Sequence, residues 1–149
     1  MNKSIYSAIL AILLLSCTCS WMLAAATDRI KAAASLCWMC TTDALMTPTN
    51  NQNKGGSAYA MLIPGLRQQM DYPHVASIAC PKPMLFYHGT HDKLFPIAGV
   101  TEAYRQMQEV WKNQHAASKL TTQLWEEKHV CSRQMLKEVI LWFDQWLKP

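Results

Sequence analysis

Three features are missing from this sequence, and each absence argues against a class of protein. Its 14 lysines and arginines are scattered, with a net charge of +4, so no basic stripe indicates a nucleic-acid partner. No internal repeat is present, so a repeat architecture is not indicated. The uncharged apolar run at residues 5–15 is too short to cross a bilayer as a helix.

What the sequence does contain is enough apolar material for one domain. Half of its 149 residues are hydrophobic and 16% are charged, with six tryptophans, five tyrosines and nine methionines. A chain of this length and composition can bury a single core, which excludes disorder for the chain as a whole. Low complexity is limited to a polar tract at residues 47–57.

The six cysteines do not form a recognisable framework. Cys37 and Cys40 have the C-x-x-C spacing of redox and zinc sites, but they end an apolar run and no second ligand pair follows. We therefore expect them to be buried residues near a strand end. No metal ion or organic cofactor is implied.

Residues 1–20 are typical of a targeting segment. Lys3 precedes the apolar run, which ends in a motif similar to the bacterial lipoprotein signal, Leu14-Leu15-Ser16-Cys17. This interpretation predicts cleavage before Cys17, a lipid on that cysteine, attachment to a membrane, and a location in the cell envelope or outside the cell.

A competing interpretation keeps residues 1–20 inside the fold. Residues 9–15 would form a strand, residues 16–18 a turn and residues 21–26 the start of a helix, with Ser16 as a degenerate hydrolase nucleophile. The protein would then be cytoplasmic. The turn normally reads G-x-S-x-G, but Leu14 and Thr18 replace both glycines, which favours the signal interpretation.

Hydrophobic patterns after residue 20 predict alternating strands and helices. Strands are expected at residues 30–39, 83–87 and 120–126, and amphipathic helices at residues 100–111 and 136–147. This order predicts the α/β class, with a mostly parallel sheet and flanking helices. Residues 21–149 are expected to form the folded domain.

Two titratable residues follow neighbouring predicted strands. Asp92 comes after the strand ending at Tyr87, and His129 comes after the strand that includes Trp125. Catalytic groups gather at the carboxyl ends of parallel strands, and an Asp–His pair is the acid–base half of a nucleophilic triad. The remaining histidines are expected at the solvated surface: His74, His88, His91 and His115.

From residue 27 onward the chain resembles the dienelactone-hydrolase and acyl-esterase branch of the α/β-hydrolases. The resemblance is carried most strongly by Cys80-Pro81-Lys82-Pro83-Met84-Leu85-Phe86-Tyr87-His88-Gly89, followed by Asp92-Lys93-Leu94-Phe95-Pro96. It implies a partial α/β-hydrolase fold that covers the C-terminal half. It also implies a small-molecule ester substrate and an acyl-enzyme mechanism in which Asp92 orients His129.

The departures from this family concern the nucleophile. The family places it about seven residues before the position of Trp21, which is Leu14 here, whereas Ser16 is only five residues before it. The oxyanion loop and first strands are not found. We therefore expect weak or no activity from this chain alone. The alternative is a non-catalytic protein: an envelope lipoprotein, a binding module or a gene remnant. If residues 1–20 are removed, the predicted strand at residues 30–39 loses a neighbour, and its exposed edge favours self-association.

Overall fold

A computed structural model describes residues 17–47 and 62–148. The predicted signal-like run and Ser16 lie outside these residues, as does most of the polar tract at residues 47–57. None of the helices in the described residues has the length and apolar character needed to cross a membrane.

The described residues form a three-stranded parallel sheet. Its strands are β1 (Ala33–Leu36), β2 (Met84–Gly89) and β3 (Leu120–Trp125), in the order β1-β2-β3. All six residues of the central strand are buried, as expected for a strand that is paired on both edges and covered on both faces.

Helices separate and cover the strands. They are α1 (Cys17–Ala26), α2 (Thr42–Leu45), α3 (Tyr72–Ser77), α4 (Ile97–Asn113) and α5 (Arg133–Leu147), with short 3₁₀ turns at Leu66–Gln68 and Ala117–Lys119. This alternation confirms the predicted α/β class.

The core lies in two layers because strand side chains alternate between the sheet faces. Met84 and Phe86 of β2 contribute to the larger cluster, which includes buried residues of α1, α3 and α4. Leu85 and Tyr87 pack on the other side with Met135, Val139 and Trp142 of α5.

Several elements differ from the predictions. The first strand is only Ala33–Leu36, rather than residues 30–39, because Cys37 turns into the left-handed region (φ 54°) and ends the extended run. The helix Tyr72–Ser77 was not predicted. The Asp71 carboxylate caps it and Pro73 lies in its first turn, where proline is tolerated.

Helix α1 runs antiparallel to the strands. Lys82, just before β2, donates hydrogen bonds from Nζ to the carbonyls of Ala24 and Thr27, each at 2.8 Å. The carboxyl end of α1 therefore lies at the amino edge of the sheet. Trp21, in the middle of α1, has its ring centroid 5.7 Å from that of Trp38, which follows the carboxyl end of β1, so the helix runs back toward the carboxyl edge. Trp21 is fully buried and anchors the helix.

Candidate active site

Two loops meet at the carboxyl edge of the sheet, residues 90–96 after β2 and residues 126–132 after β3. Backbone hydrogen bonds tie them together: Thr90 N donates to the Trp125 carbonyl at 2.8 Å, and His91 N to the Glu127 carbonyl at 2.9 Å. A Cβ atom on Gly89 would lie 2.4 Å from the carbonyl oxygens of Glu127 and Lys128. Only glycine allows this close approach between the two loops.

The first loop fixes Asp92 in the protein. The Asp92 Oδ1 atom accepts hydrogen bonds from the backbone N–H groups of Leu94 at 2.7 Å and Phe95 at 3.2 Å. The Asp92 side chain is only 1% exposed. Because these two hydrogen bonds within the loop use Oδ1, the other carboxylate oxygen, Oδ2, can accept from a partner outside the loop.

That partner is His129, on the second loop. The structure brings the two predicted residues together, with His129 Nδ1 2.7 Å from Asp92 Oδ2. The imidazole also stacks on the ring of Phe95, with centroids 5.8 Å apart and planes 8° apart. The His129 side chain is 40% exposed, so the ring is held on one side and open to solvent on another.

The contact shifts both pKa values toward the charged pair. Burial alone would raise the pKa of Asp92, but contacts with His129, His88 and the Leu94 and Phe95 amides outweigh it, and the pKa is lowered. The pKa of His129 is raised, mainly by its hydrogen bond to Asp92, against the opposing effect of burial. The arrangement can therefore stabilise an imidazolium, as an acid–base catalyst requires.

The expectation that His88 lies at the solvated surface is wrong. It is 0% exposed, because β2 continues to Gly89 and alternation turns His88 to the same face as Phe86. Its Nε2 lies 3.0 Å from Asp92 Oδ2, a contact that helps to lower the pKa of Asp92. Its Nδ1 has no hydrogen-bond partner among the described residues. His74, His91 and His115 are exposed, as predicted.

Both cysteines of the C-x-x-C pair are buried and follow the end of β1, as expected. Burial, with the nearby charges of Asp71 and Asp92, raises the pKa of Cys40 to about 12, so its thiol stays protonated. Cys37 differs, because its Sγ atom donates to the Val130 carbonyl at 3.3 Å and lies near Asp92 and His129. The strand-end rule that identified Asp92 and His129 applies equally to Cys37, which follows β1, but its apolar surroundings concealed this.

The two remaining predicted site residues are at the start of the described chain. Cys17 is the first residue of α1, and Ser16 lies just outside the described residues. The role of Ser16 as nucleophile and the lipid on Cys17 therefore stay predictions.

Comparison with known proteins gives no matching family model. A curated protein of Bacillus subtilis (strain 168), named "Putative hydrolase YtaP", is 27% identical over 128 residues. The match covers 86% of this chain but only 42% of that protein, so the chain spans less than half of its relative.

Solved structures show the same fold at low sequence identity. A glucuronoyl esterase of carbohydrate esterase family 15 from Caldicellulosiruptor kristjansonii has a TM-score of 0.69 at 12% identity, covering 87% of this chain and 40% of that one. TT1662 from Thermus thermophilus has a TM-score of 0.60 at 15% identity, covering 87% and 50%. Methylesterase BT1017 has a TM-score of 0.55 at 17% identity, covering 84% and 27%. The chain therefore has part of the α/β-hydrolase fold and resembles hydrolases over most of its length.

Proposed function

We propose that the protein acts on carboxylic esters by serine-hydrolase chemistry, with Asp92 and His129 as its acid and base. The single observation that carries this proposal is the 2.7 Å contact between Asp92 Oδ2 and His129 Nδ1 at the carboxyl edge of a parallel sheet. This edge is where open α/β sheets place their catalytic groups. The names of two structural neighbours, a glucuronoyl esterase and a methylesterase, support esters as the substrate class.

The contact assigns separate tasks to the two residues. The Asp92 carboxylate accepts a hydrogen bond from the Nδ1–H group of His129, which fixes the tautomer and leaves Nε2 as the basic nitrogen. His129 can then take a proton from a nucleophile and return it to the leaving alcohol. Its partial exposure allows this exchange, while buried Asp92 stays charged throughout.

Ser16 is the candidate nucleophile if residues 1–16 are retained. Helix α1 begins at Cys17, directly after Ser16, and runs from its Lys82 contacts at the amino edge toward the carboxyl edge, where Trp21 contacts Trp38. A nucleophile elbow needs this relation between turn, helix and histidine. We expect weak turnover or none, because Leu14 and Thr18 occupy the positions that glycines occupy in the usual turn.

Hydrolysis of p-nitrophenyl acetate by the purified full chain tests the proposal. Replacing His129 by Ala should reduce any turnover to background, a loss of roughly 10⁴-fold or more if wild-type activity is measurable. His91→Ala is the matched control, because His91 is exposed in the neighbouring loop. Unchanged turnover in His129→Ala would refute the assignment of the base.

A fluorophosphonate probe tests the nucleophile separately, since it reacts only with an activated hydroxyl. The Ser16 proposal expects labelling of the folded wild type that is lost in Ser16→Ala and kept in Ser118→Ala, whose serine is exposed and far along the chain. Labelling that survives in Ser16→Ala would remove Ser16 from the mechanism.

The alternative is a non-catalytic protein of the cell envelope. The lipoprotein-like motif that ends in Cys17 supports it, since cleavage before that cysteine would remove Ser16. Intact-mass spectrometry of protein from its native host separates the two cases. A mass lacking residues 1–16 with lipid on Cys17 would support the envelope protein, and an unprocessed mass would keep the Ser16 proposal.

Self-association is a further proposal, which concerns the sheet edge. In the described part of the chain β1 is an end strand, and all four of its residues are buried. If residues 1–20 are removed by cleavage, we expect the edge of this strand to open, and an open strand edge can pair with a second copy. Sedimentation analysis should then show a dimer, and a monomer at all concentrations would contradict pairing.

A further inference from the structure

One side chain from the end of each strand contributes a possible metal-ligand atom to a compact group, and the three atoms are a sulfur, an oxygen and a nitrogen. Cys37 follows β1, Asp92 follows β2, and His129 follows β3. The Cys37 thiol sulfur, one carboxylate oxygen of Asp92 and one ring nitrogen of His129 all lie within 4.8 Å of one another. The proposed hydrolysis uses only two of these three groups, so it does not account for the thiol.

The backbone holds Cys37 in this position. Its φ of 54° is unusual for a residue with a side chain, and such conformations cluster at functional sites. The thiol donates to the Val130 carbonyl at 3.3 Å, which ties it to the residue after His129. The position of the sulfur is thus fixed from both β1 and the His129 loop.

A buried histidine beside the group is a second, independent observation. His88 is 0% exposed, and its Nδ1 has no hydrogen-bond partner in the described part of the chain. Its Nε2 lies 3.0 Å from Asp92 Oδ2. Buried imidazole nitrogens are normally satisfied, so a second imidazole with an unsatisfied nitrogen lies beside the Asp92 carboxylate.

We propose that Cys37, Asp92 and His129 form a binding site for a divalent cation that binds thiolate ligands, such as Zn²⁺. Thiolate, imidazole and carboxylate are the ligands that zinc takes in proteins, at about 2.3 Å for sulfur and about 2.0–2.2 Å for nitrogen and oxygen. The three ligand atoms lie within 4.8 Å of one another, and side-chain movements of about 1 Å would bring them to the distances between ligands of a tetrahedral zinc ion.

The donor set selects among cations. Mg²⁺ and Ca²⁺ prefer oxygen ligands, and this group offers only one carboxylate with a sulfur and a nitrogen. Binding replaces the thiol proton by a sulfur–metal bond and releases that proton to solvent, so affinity should rise with pH. A fourth position remains for water.

Binding would also control the proposed hydrolysis, and this consequence rests on the proposed function. The cation would take the Asp92 carboxylate or the His129 ring nitrogen that the acid–base pair requires. Zn²⁺ would therefore inhibit reversibly, and a chelator would restore turnover. The binding itself needs no activity to be detected.

Co²⁺ is the probe for the first experiment, because tetrahedral cobalt with a thiolate ligand has a sulfur-to-cobalt charge-transfer absorption. Titration of the full chain in a non-thiol reductant should give this absorption at one ion per chain. Cys37→Ser should abolish it, and His129→Asn should weaken binding by at least roughly 10–100-fold, the loss that even an outer partner of a metal ligand produces. Cys40→Ser is the matched control, a second buried thiol outside the group.

Absence of the absorption in wild type, or the same affinity in Cys37→Ser or His129→Asn, overturns the proposal. X-ray absorption of the Zn²⁺-loaded wild type gives a test that requires no variant. One sulfur near 2.3 Å with nitrogen or oxygen near 2.0–2.2 Å supports the site. Two or more sulfurs, or none, would place the ion elsewhere. If the wild type does not bind the cation but His129→Ala loses turnover, the hydrolase proposal stands and the cation site is refuted.

Discussion

The loop that carries Asp92 and the loop that carries His129 hold their side chains in opposite ways. Asp92 is 1% exposed and accepts two backbone hydrogen bonds from its own loop. His129 is 40% exposed, and its ring contacts the Asp92 carboxylate and the face of Phe95. The acid is thus positioned by the fold, whereas the base is positioned by the acid.

This difference has a thermodynamic consequence. The lowered pKa of Asp92 contributes stability that is present above its unfolded pKa and is lost as pH falls through the folded value. The raised pKa of His129 contributes stability that is present below its unfolded pKa and is lost as pH rises through the folded value. Between these limits both groups are charged and the pair is intact.

The largest expected effect comes from removing the charge that positions the base. Asp92→Asn keeps the shape of the side chain but leaves His129 without its anionic partner. Turnover should fall by about 10³–10⁴-fold, the loss typical of replacing the acid of such a triad. Steady-state kinetics with p-nitrophenyl acetate measures it. Asp144→Asn, at a surface ion pair on α5, is the control, and equal turnover in both variants would contradict the account.

The next effect breaks the contact between the loops. Gly89→Ala places a methyl group 2.4 Å from two backbone carbonyl oxygens, which cannot rotate away, so the His129 loop must shift. Overpacking of this kind destabilises by about 1–3 kcal/mol, which chemical denaturation measures. Turnover should fall as well.

Gly99→Ala is the matched control for that variant. Its methyl group would meet Ala44 Cβ at 2.4 Å and Cys40 Sγ at 2.5 Å, away from the His129 loop. A similar loss of stability is expected, without the loss of turnover per folded molecule. Turnover that tracks stability equally in both variants would show that Gly89 has no special relation to the site.

A smaller effect concerns pH. A general base must be neutral, so turnover should rise with pH through the raised pKa of His129, above its ordinary value of 6.5. The stability contribution of the pair should fall over the same range. The two are measured by pH–rate profiles and by thermal unfolding. Turnover that is flat from pH 5 to 9 would contradict the role of His129.

The smallest effect tests the ring on which His129 stacks. Phe95→Leu keeps an apolar side chain but removes the stacked pair, which is worth about 0.5–1.5 kcal/mol beyond burial. Turnover should fall by several-fold, because the imidazole is less well oriented. Phe143→Leu removes the edge-to-face pair with Trp142 on α5 and serves as the control. Equal turnover in the two variants would show that the stack does not position the base.

Local patterns predicted most of the elements. Periodicity predicted α4, β3 and α5 closely, and in α4 and α5 the buried residues lie on one face of the helix. It could not predict where β1 ends, since the left-handed turn at Cys37 leaves no mark in an apolar run. No helix was predicted at Tyr72–Ser77, although Asp71 before Tyr72 and Pro73 is typical of a helix start.

The site was predictable to the extent that it follows strand ends. Asp92 and His129 were paired because neighbouring parallel strands bring their loops together. His88 was misassigned because the strand extends two residues beyond its apolar run, which puts a polar residue on a buried face. The close approach at Gly89 depends on a contact between loops that are far apart in sequence, and no local pattern reports such a contact. Cys37 follows the end of β1, but its apolar surroundings concealed its place at the strand ends.

The measurement that tests the central claim most directly is ¹⁵N NMR of the His129 imidazole in the wild type and in Asp92→Asn. The account predicts a proton on Nδ1 in the neutral ring and a pKa above 6.5 in the wild type, with the pKa lowered by the substitution. A wild-type pKa at or below 6.5 that does not change in Asp92→Asn would show that the acid does not position the base.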